Sequence, residues 1–295
     1  DAVETCDSID NDCDGDIDED GGDSDGDTYY MDADSDTYGD EATTIEACSL
    51  PSGYVENYYD CDDTDATEPV AVDDSGSPSA AGTSAAPLDT IQAGIDLADS
   101  CVVVTEGRYN EYDIDFGGKT IDVWGVDGRD STTIDPGLTV CDYTNPTDCH
   151  PVFLLNSSTG AAPTIHGFWV TGGTGYLTET TTTETCADSD PSHASADTCT
   201  VTQDDFCGGG AYVSGDDPQF SDMVFEAGDL PEFAQEPTGS WSQAWVSSAG
   251  GGVCALNSAA TFDNVVFSSN FADSGGGLYV GASSTVEVVH GWFDD

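Results

Sequence analysis

The sequence predicts an all-β chain: a right-handed parallel β-helix with a short N-terminal capping helix, preceded by a small loop-rich, disulfide-stapled acidic module. Three observations carry this expectation. A glycine-led unit recurs as GGGAYV at 208–213, GGGVCAL at 250–256 and GGGLYV at 275–280. Short apolar runs separated by Gly, Asp and Pro fill the chain from about residue 88 onward. Before that point, aspartates alternate with small residues and are flanked by cysteines.

The repeat is the main argument for a solenoid. Each glycine unit is followed by a second apolar segment, PQFSDMVFEAG, ATFDNVVFSSN and STVEVVHGWFDD in turn. The last two units are offset by 25 residues and the first two by 42, which places an insertion at 230–246. A single unit cannot bury its apolar side alone, so the units must stack. Glycine triplets let the backbone turn tightly between faces. A β-sandwich with Gly-rich turns competes with this reading, but the period fits stacked coils better.

Preceding elements follow in order. Residues 1–68 read as loops built around carboxylates, and 69–87 (PVAVDDSGSPSAAGTSAAP) as a connector. LDTIQAGIDLA places Ile91, Ile95 and Leu97 with Ala98 on one face of a short helix. Residues 88–295 then form the β-helix, with a further insertion at 177–206 whose LTETTTTET stretch reads as a projecting, O-glycosylation-prone loop. Asn156-Ser157-Ser158 is a formal glycosylation sequon.

Charge narrows the function classes. The chain carries 59 acidic side chains and three basic ones, a net charge of −56. Nucleic acid and anionic membrane are excluded as partners, since both require clustered Lys and Arg. No apolar stretch is long enough to span a bilayer. Self-repulsion on this scale calls for bound divalent cations or for high ambient salt.

Eleven cysteines point to an oxidising compartment, and so to a secreted, extracellular or cell-surface location. Their spacing favours local pairs: Cys6 with Cys13, Cys48 with Cys61, Cys141 with Cys149, and Cys186 with Cys199 or Cys207. Cys101, in an apolar run, reads as a buried core thiol. Zinc is disfavoured because no C-x-x-C pair occurs and the four histidines are scattered.

The chemical signal lies in the aspartates. Asp32, Asp34, Asp36 and Asp40 stand at relative positions 1, 3, 5 and 9, with the Tyr38 carbonyl at position 7. Alternation by two sets carboxylates on one side of a curling loop, and hard oxygen donors so arranged suit Ca²⁺. Asp23, Asp25 and Asp27 form a second cluster, and Asp10, Asp12, Asp14, Asp16 and Asp18 a third. Asp60, Asp62, Asp63 and Asp65 can close a shell from downstream. No bidentate Glu occupies position 12, so this is not an EF-hand. A solvated, disordered acidic tail is the competing reading, which the flanking cysteines weaken.

Two resemblances add to this. CDSIDNDCDGDIDED, YYMDADSDTYGD, CSLPSGYV and DCDD resemble thrombospondin type 3 calcium repeats and, more closely, the MopE-type metal-binding repeat of bacterial surface proteins. Ser8 stands where that family usually has Gly. GTSAAPLDTIQAGIDLA, VVVTEGRYNE and FGGKTIDVWG are similar to the cap and first coils of pectate-lyase-like β-helices. The GGG units and the F-x-x-N element at Phe267 to Asn270 look like polymorphic outer-membrane-protein repeats. These resemblances imply calcium as cofactor and a surface location.

Catalysis finds less support. A lyase acting on uronates needs basic groups, and only Arg108, Lys119 and Arg129 exist. A hydrolase needs clustered carboxylates, whereas Asp122, Asp222 and Asp263 read as turn or ladder residues. His166 and His290 read as hydrogen-bonded structural histidines. The expected function is a calcium-stabilised structural or adhesive surface protein, with a polysaccharide-active enzyme or carbohydrate-binding protein as the alternative. Self-association through the β-helix ends, or through Trp241 and Trp245 in the insertion, supplies the expected partner, alongside a carbohydrate or cell-surface ligand.

Overall fold

The computed structural model describes residues 5–10, 13, 15, 17–18, 26–64, 66–138, 149–186, 197–226, 228, 230, 235–238, 242–281 and 283–294, with only the backbone path over 178–205 and 235–247. The described residues are nearly all β with one helix, and the largest sheets are parallel.

The N-terminal region is more ordered than loops alone. β1 (Asp27–Met31), β2 (Asp40–Ala47) and β3 (Tyr54–Val55) form an antiparallel sheet in the order β2-β1-β3. The Asp32–Asp36 stretch is the connection between its first two strands. Residues read as connector also contribute: β4 (Val70–Val72) pairs parallel with the strand at Cys101–Val104 and edges a seven-stranded sheet.

The helix α1 (Ile91–Leu97) forms where the periodicity placed it. Thr90 caps its N-terminus by accepting the Ala93 N–H, and the Glu111 carboxylate accepts the N–H groups of Ile91 and Gln92. Ile91, Ile95 and Ala98 are buried, but Leu97 is exposed because its position turns away from the 91–95–98 stripe.

After the helix the chain lays down short strands in rounds. β5 (Cys101–Val104) and β6 (Gly107–Tyr109) are followed by β7 (Asp122–Gly125) and β8 (Thr132–Ile134). β9 (Phe153–Leu155), β10 (Thr164–His166) and β11 (Trp169–Thr171) make the next round. β12 (Tyr176–Cys186) and β13 (Asp197–Cys207) interrupt it. β14 (Ala211–Ser214), β15 (Gln219–Ser221) and β16 (Val224–Glu226) resume the pattern. A second interruption holds β17 (Gln235–Thr238) and β18 (Ser242–Ala249). The last rounds are β19 (Val253–Leu256), β20 (Thr261–Asp263) and β21 (Val266–Ser268), then β22 (Leu278–Val280), β23 (Glu287–Val289) and β24 (Trp292–Asp294).

Each full round sends one strand to each of three parallel sheets. Their orders are β23-β20-β15-β10-β7-β5-β4, β24-β21-β16-β11-β8-β6 and β22-β19-β14-β9. The glycine-led repeats therefore stack directly, with Ala211, Val253 and Leu278 in register. The central residue of most short strands points inward. This gives the ladders Val123–Ile165–Phe220–Phe262–Val288 and Ile134–Val170–Phe225–Phe267–Phe293. Phe225 and Phe267 stack at 5.7 Å and Phe267 and Phe293 at 4.8 Å, so the core is an aromatic column.

Glycine is required where rounds approach. The first residue of each triplet has positive φ, and a Cβ on Gly251 would stand 2.6 Å from the Phe271 carbonyl oxygen. Asn270 of the F-x-x-N element binds backward: its Oδ1 accepts the Gly228 N–H and its Nδ2 donates to the Phe225 carbonyl.

The two insertions meet each other. β12, β13, β18 and β17 form one sheet, and β13 pairs parallel with β18 from Thr200↔Ser242 to Cys207↔Ala249. The Thr-rich stretch is thus a strand and not a loop, because the antiparallel partner β13 satisfies its backbone. Trp241 lies outside the described residues, as does the side chain of Trp245 on β18.

Three disulfides overturn the local pairings of Cys6 with Cys13, Cys48 with Cys61 and Cys186 with Cys207. Cys6 bonds Cys48, Cys61 bonds Cys101 and Cys207 bonds Cys254, over separations of 42, 40 and 47 residues. The strands bring distant residues together, and short sequence spacing does not. Cys13 is a free, exposed thiol, and Cys101 is buried as expected but is not a thiol. Cys149 is disulfide-bonded, while Cys141 and the side chains of Cys186 and Cys199 lie outside the description. Among the described residues no helix is long and apolar enough to cross a membrane.

Candidate metal centre

Two groups of carboxylates converge at the connection between β1 and β2. Asp34, Asp36 and Asp60 each place one oxygen within 4.8 Å of the others, and so do Asp32, Asp34 and Asp63. Asp34 belongs to both.

Local hydrogen bonds explain how the loop aims these groups. Asp34 Oδ1 accepts the Asp36 N–H at 3.1 Å, Asp36 Oδ1 accepts the Tyr38 N–H at 2.8 Å, and Asp60 Oδ1 accepts the Asp62 N–H at 2.8 Å. Each is a side chain folded onto its own backbone two residues on, the turn that aspartate favours. One oxygen of each carboxylate is thereby spent on holding the loop. The other oxygen, Oδ2 of Asp34, Asp36 and Asp60, is buried and has no hydrogen-bond partner. Asp63 Oδ1 accepts the Ala33 N–H at 2.6 Å, tying the downstream segment to the loop.

Three converging carboxylates, each with a buried oxygen that lacks a partner, are costly unless a cation meets them. The strain is visible in their acidity. Burial pushes the Asp36 carboxyl up to about 6, helped by the charges of Asp34, Asp60 and Asp32 and opposed by the Tyr38 N–H. Burial also raises Asp60, with Asp34, Asp63 and Asp62 adding to the shift and the Asp62 N–H opposing it.

The donor set fits a hard divalent ion. Every converging atom is a carboxylate oxygen, with no thiolate or imidazole in either group.

Of the residues expected as ligands, Asp32, Asp34, Asp36, Asp60 and Asp63 come together. Asp40 stays apart, because its carboxylate accepts from Thr43 Oγ1 and the Ala42 N–H, which together hold it below the usual carboxylate range. Asp62 caps its own turn by accepting from Thr64. Asp27 opens β1 and belongs to neither group. Tyr38 contributes its N–H to Asp36. Upstream, Asp10 Oδ2 accepts the Gly15 N–H while its buried Oδ1 has no partner, and Asp18 accepts the Ser8 N–H. Ser8 has φ +66°, the left-handed conformation that glycine takes more easily. Asp12, Asp14, Asp16, Asp23, Asp25 and Asp65 lie outside the described residues.

Sequence reasoning did not see how the centre is seated. Asp60 lies between Tyr59, whose Oη donates to the Val126 carbonyl at 2.7 Å, and Cys61, which is bonded to Cys101 of β5. Tyr58 and Tyr59 pack against Trp124 with centroids 6.0 and 6.1 Å away, and Tyr30 of β1 lies 5.1 Å from Tyr58. The run of aromatics YY at 58–59 beside DCDD was the available signal.

The basic residues are all engaged in structure. Lys119 Nζ donates to the carbonyls of Ile95, Asp96 and Ala98 at 2.8–3.0 Å, closing the C-terminus of α1. Arg129 donates to the Met223 and Asn264 carbonyls and lies 3.5 Å from Asp222, and Arg108 pairs with Asp135. His166 is bonded to Ser221 Oγ at 2.9 Å and its buried ring is held below the usual histidine range. No protein-family model, curated protein or solved structure matches this chain.

Proposed function

We propose that this chain is a calcium-stabilised structural or adhesive protein of an extracellular surface, in which a MopE-type calcium module is fixed to a right-handed parallel β-helix. The observation that carries the reading is the convergence of Asp34, Asp36 and Asp60, each of which also holds a buried, unpartnered Oδ2. The geometry is expensive without a cation and hardly needs a catalyst to explain it. Disulfides linking distant segments agree with an oxidising compartment, and the rounds of strands shared among three parallel sheets agree with a β-helix. Calcium would be held by Asp34, Asp36 and Asp60, with Asp32 and Asp63 adjoining, and would supply the positive charge that lets the loop close.

The alternative, a polysaccharide-active enzyme, draws less support. All three Lys and Arg side chains bind backbone or carboxylate elsewhere, leaving none for a substrate carboxylate.

Calorimetric titration with calcium tests the reading. Saturable binding that Asp36→Asn weakens at least tenfold is expected. Heat indistinguishable between wild type and Asp36→Asn, with no effect of a chelator on melting, would sink it.

A further inference from the structure

We propose that the Cys61–Cys101 disulfide is the positioning element of the metal centre, so that the centre's affinity depends on this one bond. The inference rests on the calcium reading above.

The centre is assembled from two parts of the molecule. Asp34 and Asp36 ride on the connection after β1, in the antiparallel sheet. Asp60 arrives from the segment after β3 and is flanked on both sides by attachments to the parallel sheets. On one side Tyr59 Oη donates to the Val126 carbonyl, and on the other Cys61 is covalently joined to Cys101. Cys101 is 2% exposed, at the start of a strand hydrogen-bonded to both β4 and β7. Its backbone is therefore a fixed point. The weaker tie from Asp60 itself, its N–H to the Gly39 carbonyl at 3.3 Å, lies toward the antiparallel sheet.

A metal ion needs all three carboxylates at once, and like charges oppose their approach before it arrives. Holding Asp60 in place covalently converts its arrival into an intramolecular event, which raises its effective concentration at the loop. Severing the bond leaves Asp60 on a chain segment held to the parallel sheets by the Tyr59 hydrogen bond and ring contacts, and to the loop by the Gly39 and Ala33 hydrogen bonds alone. Its repulsion from Asp34 and Asp36 then favours withdrawal. Cys6–Cys48 joins the far end of the antiparallel sheet and touches neither partner of this arrangement, so it serves as the internal control.

The test is calcium titration of the full chain, taking as the centre's contribution the component that Asp36→Asn removes. The paired variant Cys61→Ser/Cys101→Ser should bind about tenfold or more weakly at that component, a magnitude typical of lost ligand positioning. Cys6→Ser/Cys48→Ser should leave it within about twofold. Tyr59→Phe, which keeps the disulfide and removes only the hydrogen bond to Val126, should weaken it by less than the paired variant does; Cys61→Ser alone, which leaves Cys101 as a buried thiol, decides the matter if the paired variant does not fold. Wild-type affinity in the folded Cys61/Cys101 variant, or in Cys61→Ser where that variant is unfolded, overturns the proposal while leaving the calcium reading intact. Absence of any component sensitive to Asp36→Asn overturns both.

Discussion

The two ends of this chain solve the same problem by different means. The stacked parallel sheets bury a continuous column of Phe220, Phe225, Phe262 and Phe267, each at most 1% exposed, and so draw stability from the removal of apolar surface. Among the described residues around the antiparallel sheet only Tyr29 and Ala47 are buried apolar side chains, while buried carboxylate oxygens stand without partners. On the proposed reading, that region has too little apolar burial to hold itself and relies on its disulfides and a bound cation. Stability in the first region should be indifferent to cations, and in the second it should be governed by them.

The largest effect is expected where the column is cut. Phe225 is fully buried, stacks on Phe267 and meets Phe220 edge-on at 5.5 Å. Phe225→Ala should cost about 3–5 kcal/mol in denaturant unfolding. The loss should be equal with calcium and with chelator. A loss that changed with calcium would mean that the regions share one stability and the contrast is false.

Next comes the cation itself. Calcium at about a hundredfold excess over its dissociation constant should add about 2.7 kcal/mol to the stability of the metal-bound region. Asp36→Asn should abolish that increment. In chelator the same variant should be no less stable than wild type, because it removes one of the mutually repelling carboxylates. Hydrogen exchange over residues 27–64 reads the region separately from the column. An Asp36→Asn protein destabilised equally in both conditions would assign Asp36 a structural role unrelated to metal.

Smaller, and opposite in sign between conditions, is the response to pH. In chelator the folded Asp36 carboxyl titrates at about 6, above the ordinary 3.8. Between those values the folded state keeps a proton that the unfolded state has released, so stability falls as pH rises through this window. With calcium bound, protons compete for the same oxygens, and stability should fall as pH drops. Thermal melts across pH 4 to 7 in both conditions check the crossing, and parallel curves would remove the buried carboxylates as its cause.

Both regions were legible in the sequence to different depths. The glycine-led repeat announced the stacking because its period is local and each unit carries its own inward residues. Pairing of β13 with β18 was hidden, since neither insertion bears a signal naming the other. The three described disulfides were hidden for the same reason: each of them spans at least 40 residues, and the folded strands choose the partner. At the metal centre the alternation of Asp32, Asp34 and Asp36 was readable. The choice of Asp60 over Asp40 was not. Asp40 satisfies the spacing rule, but Thr43 and the Ala42 N–H occupy its carboxylate, whereas Asp60 is delivered by tertiary attachments that spacing cannot encode.

The smallest effect tests whether the contrast extends to the helix that opens the stack. Thr90 Oγ1 accepts the Ala93 N–H at 3.3 Å, while Glu111 already satisfies the N–H groups of Ile91 and Gln92. Thr90→Ala therefore frees one donor and should cost about 1 kcal/mol, at most about 2. α1 packs beside β4 and β5, and β5 also carries Cys101, the anchor of Asp60. If the anchor is rigid, loosening the cap should leave calcium affinity unchanged while the unfolding midpoint of the stack falls slightly. A drop in calcium affinity that tracks the loss of cap stability would show the strand yielding as the helix frays. The boundary between the two regions would then lie within β5 and not at the disulfide.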